Sequence, residues 1–416
     1  MLHDVPSATA IVLRFVGFFP AAGMTLGLTV KSLVGFAAFG AFWGAWGAAL
    51  PAVQRRAEVD DGELGLALVL VGLGALVSMR ATGVLIDRAG PRLTPVTVAL
   101  FGAAAILPAL AHSPAALYVF MLALGAASGA MDVAINADVV RAEVRSGRPL
   151  VNLAHACFSG AVVAGSVATG ILRAAGAGAG AVFSVAAVVL ITAAVVIASG
   201  PREPWEPAPR EAKPRLFQRF PAWLLALGVL GAAAYWIENA WQSWGAVYVE
   251  RTFAVTPSVG ALAPALFAGS MAAGRLAVHR FARLGLERVV LVAGAAVAGG
   301  GSLWAALAPA APAALVGIVV AGVGCSVCAP TIVSLAGRAA APSERATVVG
   351  SVTTLMYLGF LVGPAAVGSV AQLTTLRASL TGVAGLAFVL AVAFAVVRLP
   401  IEKTDARSRI GPHETA

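Results

Sequence analysis

The sequence predicts an all-α integral membrane protein, twelve transmembrane helices in two pseudo-symmetric six-helix bundles. Three observations carry that expectation. Hydrophobic residues make up 60% of the 416-residue chain and charged residues only 11%, against about 25% charged in soluble domains. The apolar residues fall into twelve blocks, each near the roughly 20 residues a helix needs to cross a bilayer. Lysines and arginines gather in alternate connections between the blocks, the pattern that orients a multi-pass chain.

In order, the blocks cover about residues 33–53, 63–83, 94–112, 115–138, 151–172, 179–199, 222–246, 257–278, 289–308, 312–335, 347–371 and 376–398. They are rich in Ala and Gly, with 46 glycines in the chain. Small residues let helix backbones approach closely in lipid. A large soluble helical protein would show polar stripes every three or four residues; blocks 179–199 and 376–398 show almost none. Ahead of the first block, residues 8–30 hold an apolar run broken by Arg14 and Pro20. A cleaved signal peptide fits poorly there, because a cytoplasmic helix would follow directly. A peripheral extension is expected, with Met24 as an alternative start.

With a cytoplasmic N-terminus, all but Arg55, Arg56, Arg173, Arg251 and Arg377 of the 28 lysines and arginines fall on the inner side. An even number of spans with both termini cytoplasmic explains that split, and a cell (inner) membrane location is expected. The net charge of +9 therefore reads as topology. No basic stripe interleaved with aromatics marks a nucleic-acid surface.

The chain divides at residues 200–220, GPREPWEPAPREAKPRLFQRF, which are Pro-rich and charged. The expected organisation is an N-terminal extension (1–32), a first six-helix bundle (33–199), a cytoplasmic linker (200–220), a second bundle (221–399) and a cytoplasmic tail (400–416). Between the second and third blocks lies GVLIDRAGPR, residues 83–92; the second half carries a weaker echo, GRLAVHRFARLG, residues 274–285. In the echo, His279 and Arg280 stand where Asp-Arg is expected. Six-helix repeats with a site between them at the bilayer midplane are a transporter architecture.

An ionisable residue inside a span is expensive and is a functional candidate by default. Asp132 lies in the fourth block with Asn136 one turn away; His155 lies in the fifth with Asn152 and Ser159; Glu238 lies in the seventh with Tyr235, Trp241 and Gln242 as one stripe and Asn239 and Trp244 beside it. Each has a plainer reading. Asp132 can simply hydrogen-bond within its bundle, His155 can be a structural donor, and the aromatics around Glu238 can be an interfacial belt. The functional reading assigns Asp132 and Glu238 to proton coupling, because a carboxylate buried in low dielectric holds a proton near neutral pH. It assigns Asn136, Asn152, His155, Tyr235, Glu238, Asn239, Trp241 and Gln242 to solute binding.

The 83–92 stretch resembles the cytoplasmic helix 2–3 loop signature of major facilitator superfamily transporters. AMDVAINADVVRAE (130–143), YWIENAWQSWGAVYVE (235–250) and GFLVGPAAVG (359–368) look like the fucose-permease-like and rhizopine-transporter-like branch. The resemblance covers roughly residues 33–399. It implies alternating access, with a central cavity lined by the fourth, fifth and seventh helices. It also implies a proton-binding carboxylate on the fourth helix, which matches Asp132. Gating is implied for Gly83, Asp87, Arg88, Gly90 and Arg92. Their arginines are expected to pair with carboxylates near the end of the fourth helix, such as Asp138 or Glu143, with Arg141 beside them. Gly363 and Pro364 are expected to form a kink that also serves gating. In antiporters the Gly-Pro motif lies in the fifth helix, where this chain has Gly160, Gly165 and Gly170 without the proline.

The expected function is proton-coupled symport of a small polar, sugar-like solute. The alternatives are a proton antiporter exporting drugs or metabolites, with Trp236, Trp241 and Trp244 lining a wide cavity, and a non-transporting receptor. Cys157, Cys325 and Cys328 are read as small buried side chains. No metal cluster, cofactor, phosphate-binding loop or catalytic constellation is expected, and the chain is expected to act as a monomer in the bilayer.

Overall fold

Among the described residues, eleven helices are long and apolar enough to cross a membrane, and a shorter apolar segment, Thr94–Leu110, completes a set of twelve. The computed structural model describes residues 26–147, 149–199, 221–281, 286–341 and 344–397. Outside them lie residues 1–25 with Met24, the linker 200–220, residues 282–285, the side chains of His279 and Arg280, and the tail from residue 398.

The helices are α1 (Leu26–Ala57), α2 (Asp61–Ala89), α3 (Thr94–Leu110, broken after Ala104), α4 (Pro114–Ser146), α5 (Leu150–Ala174) and α6 (Ala179–Ser199). In the second half come α7 (Ala222–Phe253), α8 (Pro257–Gly260 continued by Leu262–Phe281), α9 (Glu287–Leu307), α10 (Ala311–Ala339, interrupted at Ser326), α11 (Arg345–Leu373) and α12 (Leu376–Val396). Every expected block is a helix. The ends differ: α1 begins at Leu26, so residues 26–32 of the expected extension are helical, and α4 and α7 run past their apolar blocks to Ser146 and Phe253. Polar residues at a helix end leave the lipid but need not leave the helix, so apolar content does not mark where backbone hydrogen bonding stops.

Local chemistry sets the turns. Asp60 caps α2 by accepting from the Glu63 amide at 2.8 Å, while Glu63 accepts from the Asp60 amide at 3.0 Å. This reciprocal pair satisfies two otherwise orphaned amides. Ser113 caps α4 ahead of Pro114, and Gly147, at φ 65°, ends it. Thr375 caps α12 by accepting from the Ala378 amide at 3.1 Å.

The packing pairs repeat between halves. In the first, α1 lies on α5, α2 on α4 and α3 on α6; in the second, α7 lies on α11, α8 on α10 and α9 on α12. The halves meet chiefly through α2 against α11, α5 against α8 and α1 against α7. Several pairs are close enough to require glycine. A Cβ on Gly125 of α4 would run into the Val71 carbonyl of α2, and one on Gly359 of α11 into the Ala232 carbonyl of α7. Large apolar side chains such as Val119, Val188, Val229, Val389 and Val392 stay exposed, as they can where the solvent is hydrocarbon.

The face at which α1 and α7 begin also carries the 83–92 stretch and is here called the basic face; the face of the α1–α2 and α7–α8 turns is the opposite face.

Candidate solute-binding cavity

A cavity of about 380 Å³ lies between the halves at mid-depth. Its charged and polar lining comes from four helices: Ser128 and Asp132 on α4; Ser159 on α5; Glu238, Asn239, Gln242 and Ser243 on α7; and Arg275 on α8. Its aromatic walls are Phe39, Trp43 and Trp46 on α1, Phe158 on α5, and Tyr357 and Phe360 on α11. Pro364 of α11 also lines it. A proline there leaves the Phe360 carbonyl without its helical donor.

Each cavity carboxylate has a local amide partner. Asn136 donates to Asp132 Oδ1 at 3.0 Å and to the Asp132 carbonyl at 2.9 Å. Gln242 donates to Glu238 Oε1 at 2.9 Å, and Ser243 donates to Asn239 Oδ1 at 2.8 Å. Asp132 belongs to one half and Glu238 to the other. Both lie within electrostatic reach of Tyr235 and Tyr357, and Arg275 lies within reach of Glu238 and Tyr235.

Of the residues expected to bind solute, Glu238, Asn239 and Gln242 line the cavity. Asn136 sits one turn from Asp132 toward the basic face, and Tyr235 packs at 4.5 Å between ring centroids on Phe360. His155 and Asn152 continue the α5 stripe of Phe158 and Ser159 toward the basic face and are exposed. The His155 ring meets Phe36 edge-on at 5.1 Å.

Trp241 is a correction. It is fully buried on the far side of α7, where its indole donates to Ser302 of α9 at 2.9 Å. At 3.6 residues per turn, the cavity set 238, 239, 242 and 243 spans one face, and 241 falls well outside it. Trp244 is likewise fully buried, and neither it nor Trp236 lines the cavity. The aromatic wall proposed for the export alternative is therefore absent from the cavity; α1, α5 and α11 supply the aromatics.

Arg275 was expected on the cytoplasmic side as part of the basic echo. Instead it is on α8 and lines the cavity. The spacing of Pro264, Ala268, Met271 and Arg275, all cavity-lining, is a regular helical stripe, and that periodicity was the available signal.

The halves close against each other at the opposite face. Arg173 of α5 makes a bidentate pair with Glu250 of α7, at 2.6 and 2.9 Å, and donates to the Ala48 carbonyl. Arg251 of α7 makes a second bidentate pair with Asp61 of α2, at 2.5 and 3.0 Å, and Gln54 also donates to Asp61 at 2.7 Å. Gln372 of α11 donates to Asp60 at 2.7 Å, and Ser166 of α5 to the Ala261 carbonyl at 2.8 Å. All five arginines left outside the basic set serve this face or its edge: Arg173 and Arg251 as above, Arg55 at 3.8 Å from Glu250, Arg56 hydrogen-bonded to His112 at 3.1 Å, and Arg377 donating to the Ala308 carbonyl at 3.1 Å.

At the basic face the expected partners differ. Gly83, Asp87 and Arg88 lie in the last two turns of α2 rather than in a loop, and only Gly90, Pro91 and Arg92 form the tight turn, with Gly90 at φ 66°. Asp87, Arg88 and Arg92 are exposed. Asp138 pairs with Arg141 of its own helix, and Glu143 accepts from the Val151 amide at 2.9 Å. These carboxylates are thus engaged locally, one by Arg141 and the other by a backbone amide. Gly363 packs against Trp236, and Pro364 lies beside Gly65 of α2, so this pair sits where α11 meets both α7 and the other half.

Two six-helix halves closing over a mid-depth cavity that carries a few charged and polar side chains among apolar walls define a membrane transporter of the alternating-access architecture. The chain belongs to the Major Facilitator Superfamily, whose family model matches residues 32–285 and 281–414. It is 30% identical over 361 residues to an uncharacterized MFS-type transporter of Yersinia pestis, covering 83% of this chain and 90% of that one. It is 27% identical over 397 residues to the membrane protein MosC of Rhizobium meliloti, covering 94% and 95%. Among solved structures, the nucleoside transporter NupG superposes with a TM-score of 0.72 at 15% identity, covering 89% of this chain and 98% of that one.

Proposed function

We propose that this transporter is a proton-coupled symporter of a small polar, sugar-like solute, working as a monomer with its basic face toward the cytoplasm. The observation that carries the reading is the pairing of Asp132 and Glu238, one from each half, on a single mid-depth cavity. Carboxylates so placed can gain or lose a proton as the halves rock, and the cavity's amides and aromatic walls suit a hydroxylated ring. Asp132 takes the coupling proton. Glu238, with Asn239 and Gln242, binds the solute and is the second protonation site. In the conformation described, the solute exchanges with the cytoplasm while the Arg173–Glu250 and Arg251–Asp61 pairs hold the outer side shut.

The test is transport in proteoliposomes with and without a proton gradient. Solute addition should draw protons in with the solute, alkalinising the outside medium. Asp132→Asn should abolish uphill accumulation while leaving downhill exchange. Proton release on solute addition would show antiport, and full accumulation by Asp132→Asn would remove the coupling assignment.

A further inference from the structure

We infer that Arg275 is a recognition residue for an anionic group on the solute, so that the solute is a carboxylate monoanion of sugar-acid size. The inference rests on the symport reading only for the polar character and size of the solute and for the protonation of the cavity carboxylates.

Arg275 is a cation facing the same cavity as Asp132 and Glu238. Among the described residues it forms no hydrogen bond and no ion pair. Both cavity carboxylates already accept a local amide, Asp132 from Asn136 and Glu238 from Gln242. The guanidinium is exposed in this state, so water serves its five donors. Alternating access requires that the cavity close around the solute and that this water leave. A guanidinium cannot shed its proton to escape the cost, and an unpaired charge in a closed low-dielectric cavity is strongly unfavourable. Glu238 is within electrostatic reach but makes no hydrogen bond or ion pair with Arg275 and is already turned to Gln242, so the solute is the inferred partner. The planar fork of Arg matches a carboxylate in a bidentate geometry.

The charge balance narrows the class further. Two carboxylates share the cavity with one guanidinium, so a dianion such as a phosphate monoester would meet more repulsion than attraction. With Asp132 and Glu238 both protonated, as the symport reading has them when solute binds, Arg275 matches a monoanion and leaves one charge of a dianion unmatched. The aromatic walls, Trp43, Trp46 and Tyr357 among them, accept the ring face.

Trp43 and Trp46 provide the probe. Intrinsic fluorescence of the purified full-length protein in detergent is titrated at one fixed pH with glucuronate, galacturonate and gluconate, and with the amide or parent sugar of each. The expected result is saturable quenching by at least one acid, at concentrations about tenfold or more below its neutral counterpart. Arg275→Gln should erase that preference, and Arg275→Lys should keep part of it. The inference falls if the neutral compounds bind as well as the acids, if none of the acids gives a saturable response, or if Arg275→Gln retains the preference. It also falls if the double variant Glu238→Gln/Arg275→Gln recovers what Arg275→Gln loses, since Arg275 would then be an internal counter-ion of Glu238. No gradient enters this titration. An intact acid preference without proton-driven accumulation in liposomes would therefore sink the coupling reading alone.

Discussion

The two faces of the bundle hold their charges in opposite ways. At the opposite face, arginines and carboxylates pair across the halves: Arg173 with Glu250 and Arg251 with Asp61. Basic-face charges pair within a half, as Arg141 with Asp138 and Arg338 with Glu287, while Asp87 and Arg88 stand exposed. The 83–92 stretch thus lies at the face whose described ion pairs stay within a half, and the cross-half pairs draw on Glu250, the last residue of the 235–250 segment, and on Arg251 beside it. A charge gate can be seen only in the conformation that brings its charges together, so the gating role proposed for the 83–92 stretch has to be tested in the alternate one.

The largest expected effect of breaking this contrast comes from Arg173→Ala. Arg173 and Glu250 are both buried, with side chains 2% and 7% exposed. Removing one partner of a buried pair costs about 3–5 kcal/mol, because the other charge stays in place unpaired. Arg55, 3.8 Å from Glu250 and 63% exposed, would offset only a small part of the loss. The population closed at the opposite face should fall by about a hundredfold or more relative to its alternative. Cysteines introduced at Gly62 and Gln372, whose positions face each other across the halves, would report it. They should crosslink readily in the parent background, with Cys157, Cys325 and Cys328 replaced, and poorly with Arg173→Ala. Unchanged crosslinking would remove the gating role of the pair.

Arg251→Ala should act in the same direction and more weakly. The Arg251 side chain is 47% exposed, and Asp61 would keep its bond from Gln54. Pairs of this partly solvated kind contribute about 1 kcal/mol, so the crosslinked fraction should fall several-fold. An effect as large as that of Arg173→Ala would mean that the Asp61 site, rather than the Glu250 site, is the principal latch.

The fold was largely legible in the sequence because lipid imposes the same length and apolarity on every span. Asp132 and Glu238 stood out for the same reason, as charges where charges are costly. The rotation of α7 was not legible. Aromatic residues occupy both its faces, and the bonds of Trp241 to Ser302 and of Tyr248 to the Ala305 and Ala306 carbonyls fix which face turns away from the cavity. Arg275 was obscured by the echo of the loop stretch, which drew it toward the basic face in spite of its helical phase with Met271 and Ala268. The cross-half pairs could not be matched either, since Arg173 and Glu250 are brought together by the assembly of the halves. The leftover arginines of the charge count were their one trace.

Asp87→Asn is expected to have the smallest effect and is the sharpest discriminator. Asp87 is exposed in this state, so the substitution should alter the stability of this conformation by no more than about 0.5 kcal/mol. If Asp87 helps close the basic face in the alternate conformation, removing its charge weakens only that conformation. The variant should then shift the balance toward closure of the opposite face, against the direction of Arg173→Ala. In the Arg173→Ala background, adding Asp87→Asn should restore part of the lost crosslinking between positions 62 and 372. Two changes at opposite ends of the molecule, sharing no contact, can offset each other only if both bias one rocking equilibrium. Should the double variant match Arg173→Ala alone, the 83–92 stretch anchors topology and takes no part in gating.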